Sequence, residues 1–287
     1  MRYIFFFLLP VLIFSSSYRY IAKNISDVHV SFSKNSPYIS QVLYGTRVEV
    51  LSEKKHFVQI KTLDECVGWI NKEDLISRES AYLQENQAKV IALFAPIYKE
   101  KSLRLHPPIM IICYGTYLEI NSYGRKWAEV SLVNGKKGYI LLTAIEKKPH
   151  LLSIDEMLKE SKRFVGFPYL WSGASAYGTD CSGFVQLMYK QMGVYLPHKS
   201  FVQAKSDLLK PVELTKLAPG DLLFFNADRK SHQKESEINH VGIYLGNNLF
   251  IHSSTLKYDK NPPGVQISEL TSTWKNTLLS AKRLKKL

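Results

Sequence analysis

The sequence predicts an α+β domain that follows two small all-β domains. Residues 28–75 alternate short β-type runs with turn residues and contain no long helical period, which predicts a small sandwich or barrel. Patterns from this region recur 70 residues later, which predicts a second copy. Beyond residue 150, helical periods come first and apolar strand patterns follow, an order typical of the α+β class.

The repeat consists of three short patterns that recur in register. They are Tyr-Gly-Thr, a strand that begins with an aromatic residue, and Gly-aromatic-Ile, found in pairs at 44–46 and 114–116, 57–60 and 127–130, and 68–70 and 138–140. A single match arises easily by chance, whereas three matches at one offset indicate two copies of one module. We place the copies at residues 24–78 and 85–146, and the α+β domain at residues 151–287.

Elements of the α+β domain are indicated by their capping and apolar patterns. A capping box at 153–156 begins a first helix, after a break at 147–150. A weaker helical pattern covers 200–209, and the fully apolar run 222–225 predicts a buried strand.

The chain begins with a short apolar segment. Arg2 precedes an apolar run at 4–14, and serines follow at 15–17. The run is too short to span a bilayer, and this order is typical of a secretory signal peptide, which we assign to residues 1–20. A retained membrane anchor is the alternative. Export predicts a location in the periplasm or the cell envelope, and no cysteine follows the run to carry a lipid.

A cysteine stands at the start of a predicted helix. Apolar residues from Phe184 to Met192 fall at helical spacing, and Gly193 suits the cap beyond the C-terminus. Asp180 is a good N-cap residue, and the first-turn amides together with the helix dipole favour a thiolate at Cys181. Cys181 is therefore a candidate nucleophile; the alternative is a small buried apolar residue.

Two histidines lie on the arms of a predicted hairpin. Strands at 240–245 and 249–253 are joined by a Gly-Asn-Asn turn, so His240 and His252 should lie within about one residue of facing each other. A thiolate nucleophile needs a general base, and that base needs a partner that fixes its tautomer. We therefore predict Cys181 as nucleophile, His240 as base and His252 as the orienting residue.

Two other histidines are rival bases. His232 lies in the polar run 226–237, which predicts a mobile loop that either covers the cleft or forms a solvated insertion. His198 follows a proline. Neither has a facing partner of the kind that His240 has.

Cysteine usage gives no sign of a metal or nucleotide site. With Cys181 as the free nucleophile, Cys66 and Cys113 could pair in an exported protein, although they do not occupy equivalent positions of the repeat. The sequence contains no Cys-x-x-Cys, no His-Glu-x-x-His and no glycine-rich phosphate loop. We therefore predict no cofactor and no metal.

The charge of the chain favours an acidic partner. The formal net charge is +13 at pH 7, and residues 282–286 are rich in lysine and arginine. A signal peptide and the absence of a recognition motif argue against nucleic acid. An anionic peptide outside the cytoplasm or the membrane surface fits better. The sequence does not indicate an oligomeric state.

Five motifs in the last 135 residues or so resemble, in order, the NlpC/P60 cysteine peptidases. They are Phe167–Gly173, Thr179–Gln186, Leu196–Ser200 with Gln203, Pro219–Phe225 and His240–Gly246. The resemblance implies a papain-like domain in which Cys181 is the nucleophile, His240 the base, His252 the third polar residue and Tyr169 the active-site tyrosine. Ser172 stands where the family usually has glycine.

Each repeat copy resembles a bacterial SH3 domain, the first more closely than the second. The resemblance implies two small SH3-like barrels that bind cell-wall peptide or narrow the cleft, one of which contributes a tyrosine to the pocket. Relatives with this arrangement cut between γ-D-glutamate and a diamino acid. Position by position, the resemblance implies that Asp180, Ser182 and Ser200 hold the free N-terminal L-alanine of the substrate, although Asp180 is also the predicted helix cap.

The predicted function is hydrolysis of an amide bond in peptidoglycan stem peptides or muropeptides. Two alternatives remain open. One is a different acyl-transfer enzyme on the same fold, such as an N-acetylmuramoyl-L-alanine amidase or a transpeptidase. The other is a cell-wall-binding protein without catalytic activity.

Overall fold

The structure is a computed structural model that describes residues 17–82, 86–227, 237–255 and 262–285. These residues form two β-rich domains followed by an α+β domain. His232 and the rest of residues 228–236, within the predicted mobile loop, lie outside the described residues. No helix within the described ranges has the length and apolar composition that a membrane span requires.

The first domain is an antiparallel sheet of seven strands. They are β1 (Ser17–Ile21), β2 (Ile25–His29), β3 (Tyr38–Leu43), β4 (Arg47–Lys54), β5 (Phe57–Lys61), β6 (Val67–Asn71) and β7 (Leu75–Ile76). Their order across the sheet is β3-β2-β6-β5-β4-β1-β7. The edge strands β3 and β7 do not pair with each other in the described residues, so the predicted small SH3-like barrel is an open sheet that does not close.

Strand β1 reaches into the segment assigned to the signal peptide. It pairs with β4 and β7, and Ile21 is fully buried in the core of this sheet. The first domain thus includes residues 17–23, ahead of the predicted start at residue 24. The signal peptide lies outside the described residues as far as residue 16, and it stays a prediction.

The second domain repeats the strand order of the first. Its strands are β8 (Gln87–Val90), β9 (Phe94–Ile97), β10 (Met110–Cys113), β11 (Tyr117–Tyr123), β12 (Trp127–Ser131), β13 (Lys137–Leu141) and β14 (Ile145–Glu146). The order β13-β12-β11-β8-β14 corresponds to β6-β5-β4-β1-β7 of the first domain, while β9 and β10 form a separate pair. The sequence repeat is therefore also a structural repeat.

The third domain packs helices against one antiparallel sheet. Its helices are α1 (Ile154–Ser161), α2 (Cys181–Lys190), α3 (Ser200–Gln203) and α4 (Ser272–Lys275). Its strands are β15 (Ala174–Ser175), β16 (Gly178–Thr179), β17 (Leu209–Val212), β18 (Leu222–Phe225), β19 (His240–Gly246), β20 (Leu249–Ser254), β21 (Gly264–Glu269) and β22 (Leu278–Leu284). The six-stranded sheet has the order β17-β22-β18-β19-β20-β21, and β15 pairs with β16.

The helix starts follow their capping residues. Ser153 caps α1 in a capping box with Glu156, as the sequence predicts. Asp180 caps α2 by accepting a hydrogen bond of 2.6 Å from the Gly183 amide. The helix predicted over 200–209 is limited to α3, because the chain must be extended before Pro211 and pairs with β22 there.

Contacts between the first and third domains lie beside the start of α2. Ser172 Oγ donates to the Tyr38 carbonyl at 3.0 Å, and the Ala174 amide donates to Gln41 Oε1 at 3.1 Å. These hydrogen bonds hold β3 against the third domain. The first domain thereby forms part of the wall around Cys181.

Candidate active site

A cavity of about 630 Å³ opens between the first and third domains. The first domain contributes Val30, Pro37, Tyr38 and Ile39. The third domain contributes Tyr169, Trp171, Ser172, Asp180, Cys181, Ser182, His198, Lys199, Ser200, Phe201, Ala227, Ile238, Asn239, His240 and Thr255. The volume suits a small ligand. Six of the seven site residues predicted from the sequence line this cavity, and the seventh, His252, lies behind His240.

Cys181 is the first residue of α2 and is buried. Burial raises the pKa of its thiol to about 12, and the charge of Asp180 raises it as well. Hydrogen bonds from the backbone at Val241 and Ser182 lower the pKa, but by less. The helix start therefore does not by itself produce the thiolate expected from the sequence, because the cost of desolvating the charge is larger.

His240, His252 and Ser268 form a row of hydrogen-bonded side chains. His240 Nε2 lies 2.7 Å from His252 Nδ1, and His252 Nε2 lies 3.0 Å from Ser268 Oγ. For Nδ1 of His240 to accept a proton, His240 must carry its hydrogen on Nε2 and donate it to His252. His252 then carries its hydrogen on Nε2 and donates it to Ser268.

The two histidines are diagonal neighbours and do not face each other directly. The pairing of β19 with β20 places His252 opposite Gly242, because the ladder is irregular at Leu245 and the turn is made by two asparagines with positive φ. A Cβ atom at Gly242 would lie 3.2 Å from the His252 Cβ atom. Glycine at this position therefore gives His252 the space to lean toward His240.

Aromatic rings enclose this pair of histidines. Trp274 stacks on His240 with ring centroids 5.5 Å apart, and it meets the edge of His252 at 5.1 Å. Burial lowers the pKa of His240 to about 3 and lowers that of His252 well below its ordinary value. The resting site at neutral pH is therefore a neutral thiol beside two neutral imidazoles.

Asp180 is the centre of a second hydrogen-bond network. Its Oδ1 accepts from the Gly183 amide and, at 3.1 Å, from Ser182 Oγ. Its Oδ2 accepts from the Ser172 amide at 3.0 Å and lies 3.2 Å from His198 Nε2. His198, a rival base in the sequence, is thus bound to the carboxylate that caps the helix of Cys181.

Ser172 has a backbone conformation that explains why glycine is usual at this position. Its φ is 58°, in the left-handed region that favours glycine. Its amide and hydroxyl both form hydrogen bonds, to Asp180 and to the Tyr38 carbonyl. The change to serine therefore leaves the loop in place and adds a bond to the first domain.

The other predicted contact residues lie around the cavity. Tyr169 is half-buried, and its pKa is raised first by burial and then by the charges of Cys181 and Asp180. Ser182 and Ser200 are buried at the starts of α2 and α3. Tyr38 is the tyrosine of the first domain that lines the cavity, which the sequence could not single out.

Cys66 and Cys113 are both free thiols in the structure, so they form no disulfide. Burial raises the pKa of the Cys66 thiol to about 12 and that of the Cys113 thiol to about 11. Neither lines the cavity beside Cys181.

Two family models match the chain. Residues 166–283 match the model of the NlpC/P60 family, and residues 28–75 match that of the bacterial dipeptidyl-peptidase SH3 domain. The second match covers the first repeat domain only. The assignment of residues 85–146 as a further SH3-like domain rests on the repeated strand order and stays a prediction.

Two curated relatives have the same printed name, γ-D-glutamyl-L-lysine dipeptidyl-peptidase. The protein from Bacillus cereus is 27% identical over 234 residues, which cover 75% of this chain and 66% of that protein. The protein from Bacillus subtilis is 28% identical over 244 residues, which cover 82% of this chain and 76% of that protein.

A solved structure has the same fold over nearly the whole chain. It is the crystal structure of an NlpC/P60 family protein from Bacillus cereus, with a TM-score of 0.80, 22% identity, and coverage of 93% of this chain and 99% of that chain. The family model thus identifies residues 166–283 as an NlpC/P60 domain, and the solved structure shows that the fold is shared over nearly the whole chain.

Proposed function

We propose that the protein is a peptidoglycan hydrolase that cleaves an amide bond in cell-wall stem peptides. The observation that carries this proposal is that Cys181 and His240 line the same cavity, while His252 lies 2.7 Å behind His240 and supports the tautomer with a free Nδ1. A nucleophile, a base and an orienting group in this order are what acyl transfer through a thiol requires.

The residues of the site have separate roles in the proposed reaction. His240 takes the proton of the Cys181 thiol at Nδ1, and the sulfur attacks the carbonyl carbon of the substrate. The first-turn amides of Cys181 and Ser182, which have no carbonyl acceptor within the helix, stabilise the oxyanion. His240 then protonates the leaving amine, and water hydrolyses the thioester. The face of Trp274 stabilises the imidazolium that forms on His240 during these steps.

We propose the γ-D-glutamyl bond to a diamino acid as the bond that is cut. The relatives from both Bacillus species are named for the γ-D-glutamyl-L-lysine bond and for the release of a dipeptide. Tyr38 and Pro37 of the first domain line the cavity at the side of α2, which fits a short peptide with a free end. This substrate lies in the cell wall, so we propose action outside the cytoplasm.

The free N-terminal amine of the substrate is proposed to bind beside Asp180. Among the described residues that line the cavity, Asp180 is the only carboxylate. It already takes part in four hydrogen-bond contacts, about as many as a carboxylate can accept. The amine is therefore proposed to donate to the Ser182 and Ser200 hydroxyls, while the Ser182 hydroxyl donates its hydrogen bond to Asp180.

Mass spectrometry of a defined peptide tests the proposed function. L-Ala-γ-D-Glu-diaminopimelate is incubated with the full chain and with Cys181→Ala, beside the same peptide acetylated on its alanine. We expect the wild type alone to release L-Ala-γ-D-Glu, and to cleave the acetylated peptide much more slowly.

Each other outcome overturns a part of the proposal. Cleavage of both peptides at equal rates would contradict the proposed binding of the free amine by Ser182 and Ser200. Cleavage of neither peptide by folded protein, with binding to cell walls intact, would support a wall-binding protein. Release of the intact stem peptide, with a free N-terminal alanine, from a muramoyl-peptide in place of cleavage after glutamate would support an amidase.

A further inference from the structure

His198 has a hydrogen-bond acceptor in front of each ring nitrogen. Its Nε2 lies 3.2 Å from Asp180 Oδ2, and its Nδ1 lies 3.1 Å from Gln186 Oε1. Ser40 Oγ, from the first domain, lies 3.3 Å from the same Nδ1. A neutral imidazole has one hydrogen and can donate to only one of these sides.

The orientation of the Gln186 amide is fixed by its own partners. Gln186 Nε2 donates to Asp64 Oδ2 at 2.6 Å and to the Leu196 carbonyl at 2.8 Å. Both partners only accept, so rotating the amide by half a turn would point its oxygen at two acceptors. The atom that faces His198 is therefore the amide oxygen.

Asp180 is held as a carboxylate by the backbone. The amides of Ser172 and Gly183 donate to its two oxygens, one to each. His198 can therefore meet Asp180 only as a donor at Nε2, and it meets Gln186 only as a donor at Nδ1. The network is complete when His198 carries a hydrogen on both nitrogens, as an imidazolium.

The charge of Asp180 has a direct effect on the neighbouring nucleophile. After burial, Asp180 is the largest influence that raises the pKa of the Cys181 thiol. A cation within 3.2 Å of the carboxylate offsets its field at the sulfur. Proton transfer from Cys181 to His240 is then less unfavourable.

We propose that His198 is a positioning residue that acts as a cation paired with Asp180: it offsets the charge of Asp180, holds the capped start of α2, and so favours formation of the Cys181 thiolate. The inference rests on the proposed roles of Cys181 and His240. Asp180 touches His198 directly and Asp64 acts through Gln186, so two carboxylates favour the imidazolium. The exposed ammonium of Lys199, next in the chain, opposes it.

Substitutions at His198 separate its charge from its hydrogen bonds. Without a cation at this position the charge of Asp180 is not offset at the sulfur, and the thiolate is less favourable. Arginine at this position keeps its charge throughout and can donate to both acceptors. Glutamine retains one donor but no charge.

The experiment measures alkylation of Cys181 by iodoacetamide across the neutral and alkaline pH range, followed by peptide mass spectrometry. It uses the full chain, His198→Arg, His198→Gln and the charge-matched surface control Lys205→Gln. We expect alkylation of His198→Gln at neutral pH to be slower by about tenfold, the change that one pKa unit produces in the thiolate fraction. We expect His198→Arg and Lys205→Gln both to react like the wild type.

Two results would overturn the proposal. The first is a wild-type alkylation profile in His198→Gln. The second is equal slowing in His198→Arg and His198→Gln, with circular dichroism showing that both are folded. Alkylation needs no substrate, so its result is separate from that of the peptide cleavage that tests the proposed function.

Discussion

The two histidine sites beside Cys181 are buried to the same degree but are surrounded by different groups. His240 is 5% exposed and His198 is 7% exposed. His240 lies against His252 and the ring of Trp274, which offer a single acceptor nitrogen and an aromatic face. His198 lies between Asp180 and Gln186, which offer two acceptor oxygens. The two rings are therefore equally buried, but only His198 has an acceptor oxygen at both ring nitrogens.

The largest loss of activity is expected from removing His252, the hydrogen-bond acceptor of His240. His252→Leu leaves the Nε2 hydrogen of His240 without its partner, so the tautomer with a free Nδ1 is no longer favoured. We expect kcat to fall by about 10³-fold, somewhat less than the loss known for a triad with the wrong tautomer. His252→Asn keeps an acceptor oxygen and should retain more activity. Peptide cleavage rates at saturating substrate measure both.

Ser268→Ala extends the same series with a smaller effect. It removes the group that accepts from His252, and we expect kcat to fall by about tenfold, in line with the cost of one hydrogen bond. An equal loss in His252→Asn and His252→Leu, with both proteins folded, would contradict the role of His252 as the acceptor for His240.

The two buried neutral histidines, His240 and His252, are also expected to make the folded state sensitive to acid. Burial lowers the pKa of His240 from 6.5 to about 3, and it lowers that of His252 as well. The unfolded chain therefore binds more protons than the folded chain between these pH values. Stability from this source is complete above pH 6.5 and is lost as the pH falls toward about 3.

Urea unfolding at several pH values between neutral and acid measures this sensitivity. We expect the unfolding free energy of the wild type to fall with pH more steeply than that of His252→Leu, which has lost one buried imidazole. The exposed His56 provides the matched control, because His56→Gln should have the slope of the wild type. Equal slopes in the wild type and in His252→Leu would contradict the neutral pair.

The sequence predicted the elements around Cys181 well because their signals are local. Asp180 precedes a helical period, and the hairpin with its two histidines contains its own turn, so both could be read without tertiary information. The irregularity at Leu245 was missed, because a β-bulge leaves no mark in the alternation of residues.

The partners that come from distant strands could not be read from the sequence. Ser268 lies on β21, and Trp274 lies in a helix of only four residues, so neither stands in a periodic pattern that points to His240. Tyr38 reaches the cavity only through the packing of the first domain on the third. The open edge of the first sheet, between β3 and β7, likewise depends on pairing across the whole domain.

The most direct test of the difference between the two histidine sites is nitrogen NMR of protein labelled with ¹⁵N-histidine, at neutral pH. Signals are assigned by comparison with His198→Gln, His240→Gln and His252→Leu. We expect His198 to show two protonated ring nitrogens, and His240 and His252 each to show one protonated nitrogen, Nε2. A neutral ring at His198, or a charged ring at His240 in the resting protein, would contradict the account.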